Sequence, residues 1–126
     1  IPAPLASAAD FAECNEGGTQ IEMTACAADD LAAADKQLND VYKALMKKEA
    51  ANKAFTGKLR TAQKAWLAFR DAELDAMYAC NEGAPQVCWG SMTSQSWASF
   101  EAKMTRERTR RLQQYLDEGQ PADGSH

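Results

Sequence analysis

Four cysteines, eighteen carboxylate side chains and a single histidine set the chemistry open to this chain of 126 residues. The histidine is His126, the last residue. Ser–His and Cys–His catalysis therefore have no base, and most zinc and haem sites have no ligand. Cys14, Cys26, Cys80 and Cys88 lack the C-x-x-C spacing of redox and zinc sites, and no C-x-x-C-H marks haem attachment. Paired disulfides are the better chemistry for these thiols, and they place the protein in the periplasm or outside the cell. Short local loops favour Cys14–Cys26 and Cys80–Cys88. Antiparallel helices would also bring Cys26 to Cys80 and Cys14 to Cys88, so that pairing stays open. No cofactor is indicated.

The carboxylates are segregated along the chain. Between residues 10 and 40 stand Asp10, Glu13, Glu16, Glu22, Asp29, Asp30, Asp35 and Asp40, against Lys36 alone. Asp71, Glu73, Asp75 and Glu82 form a second acidic segment without a base. The bases gather elsewhere, in Lys43, Lys47, Lys48, Lys53, Lys58, Arg60 and Lys64, and in Arg106, Arg108, Arg110 and Arg111. A net charge of −4 argues against nucleic-acid binding, which depends on neutralising phosphates. Carboxylate pairs such as Asp71 with Asp75 or Asp35 can cleave glycosides when held across a cleft. A small helical bundle seldom offers a deep cleft, so the enzyme reading is set aside.

The elements that position these residues are helices. The length gives one domain, and no apolar run approaches the roughly 18 residues of a membrane span. The start, Ile1-Pro-Ala-Pro-Leu-Ala, has no charged n-region or long apolar h-region, and reads as a mature end left by signal-peptide removal. Residues 1–18 read as a partly ordered arm. Thr19-Gln20-Ile21-Glu22 has the form of a capping box and opens a helix of about thirty residues. Leu31, Ala34, Leu38, Val41 and Leu45 give it one apolar stripe. Asn52 or Thr56 caps a second helix with the stripe Leu59, Ala62, Trp66, Phe69 and Met77, running to about Cys80. Asn81-Glu82-Gly83-Ala84-Pro85 stops it. Trp97, Phe100, Met104, Arg108, Leu112 and Tyr115 mark a third helix, ending near Gly119. The expected fold is all-α: an antiparallel bundle of three long helices over residues 19–118, with two disulfides at one end and a flexible tail at 119–126.

In such a hairpin the two acidic segments and the cysteines meet at one end. The basic turn lies at the other, and the arginines from Arg106 to Arg111 fall towards it. Asp71, Glu73 and Asp75 would lie near a helix C-terminus, where negative charge is unfavourable. Asp71 and Asp75 also repel each other at i,i+4, at a cost of a few tenths of a kcal/mol. Residues that oppose local stability are read as serving a partner.

Three segments resemble one known family. Ala62-Gln63-Lys64-Ala65-Trp66-Leu67-Ala68-Phe69-Arg70-Asp71-Ala72 resembles the AQ-x-AW-x-x-FRDA signature of the LprI-like lysozyme-inhibitor family. Ala34-Asp35 with Leu38-Asn39 and Tyr42 resembles its AD-x-x-LN-x-x-Y segment. Met104-Thr105 with Arg108-Thr109 and Leu112 resembles its LT-x-x-RT-x-x-L segment. The resemblance covers about Cys14 to Leu116 and implies an exported helical protein, with lysozyme inhibition reported for at least one member. It departs in the cysteines: Leu74 and Phe100 stand about where many members carry them, while Cys80 and Cys88 lie in the intervening turn.

The motif residues have a structural reading of their own. Asp35, Asn39 and Tyr42 share one helix face, Gln63, Trp66 and Arg70 another, and Thr105, Arg108 and Leu112 a third. Partly buried Arg70 and Arg108 would need partners, for which Asp35, Asn39, Gln63 and Asp71 are the candidates, because an unpaired buried charge is prohibitive. Trp66, Phe69 and Phe100 read as core aromatics.

The function expected is therefore a non-enzymatic binding protein that inhibits a basic lysozyme through an acidic, disulfide-stapled pole. Its contact residues would be Glu16, Glu22, Asp29, Asp30, Glu73, Asp75, Glu82 and Trp89. The anchor would come from the arm around Cys14 to Gly18 or from the turn Asn81 to Trp89. The alternative is a cell-envelope scaffold or adaptor without lysozyme activity.

Overall fold

The computed structural model describes residues 18–121. Cys14, Glu16, the rest of the expected arm before residue 18 and the tail beyond residue 121 lie outside the described residues. The described chain is all-helical, with four helices: α1 (Gln20–Lys48), α2 (Lys53–Met77), the short α3 (Pro85–Trp89) and α4 (Thr93–Glu118).

Local chemistry fixes the helix ends. Thr19 accepts from the Glu22 backbone N–H at 3.1 Å, and its own N–H donates to Glu22 Oε1 at 2.8 Å. This reciprocal pair satisfies two of the donors that an α-helix leaves open at its start. Asn52 caps α2 by accepting from the Phe55 N–H at 3.1 Å. Helix α2 ends at Met77 with Tyr78 as its C-cap, whose N–H donates to the Leu74 carbonyl, slightly short of the end expected at about Cys80. Pro85 does not merely terminate: it opens α3 at the first helical position, where its missing N–H costs nothing. The α2–α4 connection thus carries a helix of its own.

Side-chain links give the course of the helices. Gln20 donates to the Ser91 carbonyl, Arg106 pairs with Asp30, and Lys48 donates to the Leu116 carbonyl. Helices α1 and α4 therefore run in the same direction. They pack far more closely than either packs against α2. Small buried residues permit this: Ala27 and Ala34 on α1, with Ala102, Thr105 and Thr109 on α4. The two threonine hydroxyls donate to carbonyls one turn back, Glu101 at 2.7 Å and Thr105 at 3.0 Å, so they can be buried without an unmet polar group.

Helix α2 runs antiparallel to both. Its Leu74 is buried towards the far end, and near the α1–α2 turn its Leu59 joins Leu38, Leu45 and Leu112 in the buried cluster. Phe55 meets Tyr115 edge-on there, with ring centroids 5.4 Å apart. Each buried leucine contributes about 1.5–3 kcal/mol relative to exposure. At the other end Tyr78 stacks on Trp97 at 5.2 Å and its hydroxyl meets Ser96.

Two expectations are corrected here. Phe69 is 56% exposed and Phe100 41% exposed, so neither is a core aromatic. The buried face of α2 is Thr56, Leu59, Gln63, Arg70 and Leu74, and polar residues hold the inward positions next to Ala62 and Phe69. Arg106 is likewise not at the basic end; it lies across from Asp30, between helices α1 and α4.

Candidate functional site

The three motif segments converge where α2 crosses the middle of α1 and α4. Arg70, 9% exposed, is the centre. Its Nη2 lies 3.2 Å from Glu101 Oε2, its Nη1 3.4 Å from Asp35 Oδ1, and its Nε 3.3 Å from Asp71 Oδ1. Nη1 also donates to Thr105 Oγ1 at 3.1 Å, and the guanidinium lies 5.4 Å from the centroid of the Trp66 ring. A planar fork with five donors suits this setting: each nitrogen has a partner, and the positive charge faces three carboxylates.

One turn away, Arg108 Nε donates to Gln63 Oε1 at 2.9 Å. Burial lowers the Arg108 pKa from its ordinary value, yet an arginine remains charged at physiological pH. Glu101 responds in the opposite direction. Burial raises its carboxyl above the ordinary range, against the attraction of Arg70, while Asp35 and Asp71 push it further up. Glu101 was not among the candidates read from the sequence. A signal existed, since it precedes Thr105 by one helical turn and so shares the face that Arg70 meets.

Of the remaining motif residues, Leu38 and Leu112 belong to the buried cluster, and Tyr42 and Trp66 pack against it. Thr109 lies buried on α4, Phe69 faces solvent, and Asn39 is exposed on α1.

Helices α1 and α2 do not close on each other, and a groove of about 410 Å³ remains between them. Asp35, Leu38, Asn39 and Tyr42 form its α1 wall. Gln63, Leu67 and Arg70 form the α2 wall, with Arg60 and Lys64 beside them. Five of the motif's polar side chains therefore share one surface depression.

The residues expected to touch a partner are distributed differently. Glu22 is held by the α1 cap, and that hydrogen bond with Thr19 lowers its pKa. Asp30 is engaged by Arg106. Asp29, Glu73 and Asp75 are exposed and make no side-chain hydrogen bond or ion pair among the described residues. Glu82 lies beside the Cys80–Cys88 disulfide, its Oε1 3.0 Å from Cys88 Sγ. Reduction would free those two sulfurs beside the carboxylate, a set of three groups able to hold a metal ion; in the oxidised protein the sulfurs are bonded to each other. Cys26 is not a free thiol, while its expected partner Cys14 lies outside the described residues. Trp89 is 52% exposed, and its indole N–H donates to the Ala79 carbonyl at 3.2 Å. Beside it Val87 is 64% exposed.

Among the described residues no helix is long and apolar enough to cross a membrane. The chain is 28% identical over 116 residues to an uncharacterised protein of Rhizobium meliloti (strain 1021), an alignment covering 83% of this chain and 79% of that relative. No solved structure matches it. The family described as lysozyme inhibitor LprI matches residues 12–112, across all three motif segments. With most of its length matched, and with the motif side chains gathered around Arg70, the chain belongs to the LprI lysozyme-inhibitor family.

Proposed function

We propose that this protein is an exported, non-enzymatic inhibitor that binds a basic lysozyme through its disulfide-closed α2–α4 loop and the carboxylates around it. Membership of the family carries the function. The loop supports the choice of surface: Cys80 and Cys88, eight residues apart, are bridged, and the short helix that carries Cys88 presents Val87 and, one residue past the bridge, Trp89 to solvent. An exposed aromatic on a rigid turn loses little conformational freedom on binding, which suits a cleft-filling anchor. Glu73, Asp75 and Glu82 would form its acidic rim, with Glu22 and Asp29 from α1 extending the same negative pole. Opposite charge on a basic lysozyme would accelerate encounter and be screened by salt.

The carboxylates favour binding over hydrolysis. Asp35 and Asp71, two members of the pairs considered for glycoside cleavage, both face the Arg70 guanidinium. The direct test adds the oxidised protein to lysozymes of several classes acting on cell walls. Loss of lysis, weakening as salt rises, is the expected result. Undiminished lysis across those classes would refute the proposal and favour an envelope adaptor.

A further inference from the structure

The α1–α2 groove lies on a different surface from the stapled loop, and nothing in the inhibitor reading uses it. Arg60 and Lys64 stand one turn apart on α2, both exposed, and neither forms an ion pair among the described residues. Like charges at i,i+4 disfavour the helix by a few tenths of a kcal/mol. An anion seated between them would remove that repulsion. Gln63 lines the groove beside them; its Oε1 accepts from Arg108, and its Nε2 donates to no acceptor among the described residues.

Across the groove, Asn39 offers an amide and Tyr42 a hydroxyl, while Asp35 offers acceptor oxygens. The apolar part of the lining is Leu38, Leu67 and the Tyr42 ring. Small-ligand sites combine such an apolar wall with a few placed polar groups, in volumes of about 300–1,000 Å³. Amides and a carboxylate read hydroxyl groups, an aromatic and two leucines cover C–H faces, and a pair of cations takes one negative charge. These features together describe a sugar ring that carries an acid group.

We propose that the α1–α2 groove binds an anionic saccharide of one or two rings, with its carboxylate between Arg60 and Lys64 and a ring hydroxyl on Asp35. The proposal does not rest on lysozyme inhibition.

The test is an NMR titration of the oxidised full chain with three probes. N-acetylmuramic acid carries ring and carboxylate, N-acetylglucosamine the ring alone, and lactate the carboxylate alone. Saturable shifts of the Leu38 and Leu67 methyls and the Gln63 side-chain amide are expected with N-acetylmuramic acid. Binding of either control should be at least about tenfold weaker, as should binding of N-acetylmuramic acid to the Arg60→Ala/Lys64→Ala double variant. Both substituted residues are exposed, and an unchanged amide spectrum outside the groove verifies the fold. The proposal is overturned by absent or non-saturable shifts, by equal affinity for lactate or N-acetylglucosamine, or by a double variant that binds as well as the parent.

Discussion

Arg70 on α2 and Glu101 on α4 lie 3.2 Å apart with side chains only 11% and 17% exposed, so one ion pair crosses the interface between two helices. The same guanidinium reaches Asp35 on α1, which makes a single side chain the polar link among all three long helices. Removing a buried partner leaves charge without compensation, at a cost of about 3–5 kcal/mol. Arg70→Ala should therefore lower the urea midpoint by an amount corresponding to about 3 kcal/mol, since Asp35 and Asp71 retain access to water. A change below about 1 kcal/mol would show that the link is peripheral to stability.

Glu101 gives this link a pH dependence. Its folded-state pKa lies above the ordinary 4.5, chiefly through burial. As pH falls through the raised value, the folded protein takes up a proton that the unfolded chain does not yet hold. This group's contribution to stability therefore rises on acidification towards 4.5, and is lost as pH rises through the folded value. Glu101→Gln removes the titration. Wild-type protein should gain stability relative to the variant as the pH is lowered from neutrality, read as urea midpoints at a series of pH values. Parallel profiles would contradict the assignment.

The α1 cap titrates in the other direction. Glu22 is lowered by its hydrogen bond with Thr19, so the stability it contributes is present above its ordinary value and is lost as pH falls through the lowered one. Thr19→Ala should cost about 1 kcal/mol and move the Glu22 carboxyl only part of the way towards its ordinary pKa, because the Thr19 backbone N–H that donates to Glu22 Oε1 survives the substitution. Thermal denaturation gives the first quantity and carboxyl-resolved NMR the second. A Glu22 carboxyl that already titrates at its ordinary value in the parent protein would show that the capping box does not form in solution.

Local features were legible in the sequence and non-local ones less so. The Thr19–Glu22 box and the Asn52 cap involve residues three apart, and their chemistry is complete within one turn. The α1 stripe is also plain, because Ala34, Leu38 and Leu45 are apolar and buried. Helix α2 misleads by one residue. Its inward positions hold Gln63 and Arg70, so an apolar count follows Ala62 and Phe69 towards solvent. The need of Arg70 for carboxylates could be anticipated from its charge, but Glu101 is supplied by α4 and becomes visible only when the helices are placed. The groove depends on α1 and α2 staying apart, a property of the packing of α1 on α4 rather than of any one segment. Helix α3 is hidden in the sequence because Pro85 marks an end as readily as a start: the same fixed backbone angle that breaks one helix begins another.

The loop disulfide should matter more to binding than to folding. Closing so short a loop restricts the unfolded chain by about 2 kcal/mol. Cys80→Ser/Cys88→Ser should therefore retain its helical circular dichroism with a modestly lower melting temperature. Hydrogen exchange should rise around residues 80–92, as the short helix loses its closure. Exchange rates unchanged in that segment would mean that the bridge does not hold the loop.

The most direct measurement is the inhibition constant of the oxidised protein against a susceptible lysozyme, compared with Trp89→Ala. If Trp89 anchors the cleft contact, truncation should weaken inhibition about thirtyfold, equivalent to roughly 2 kcal/mol, without loss of helical content. Equal inhibition by the parent and the variant would remove the stapled loop as the contact surface.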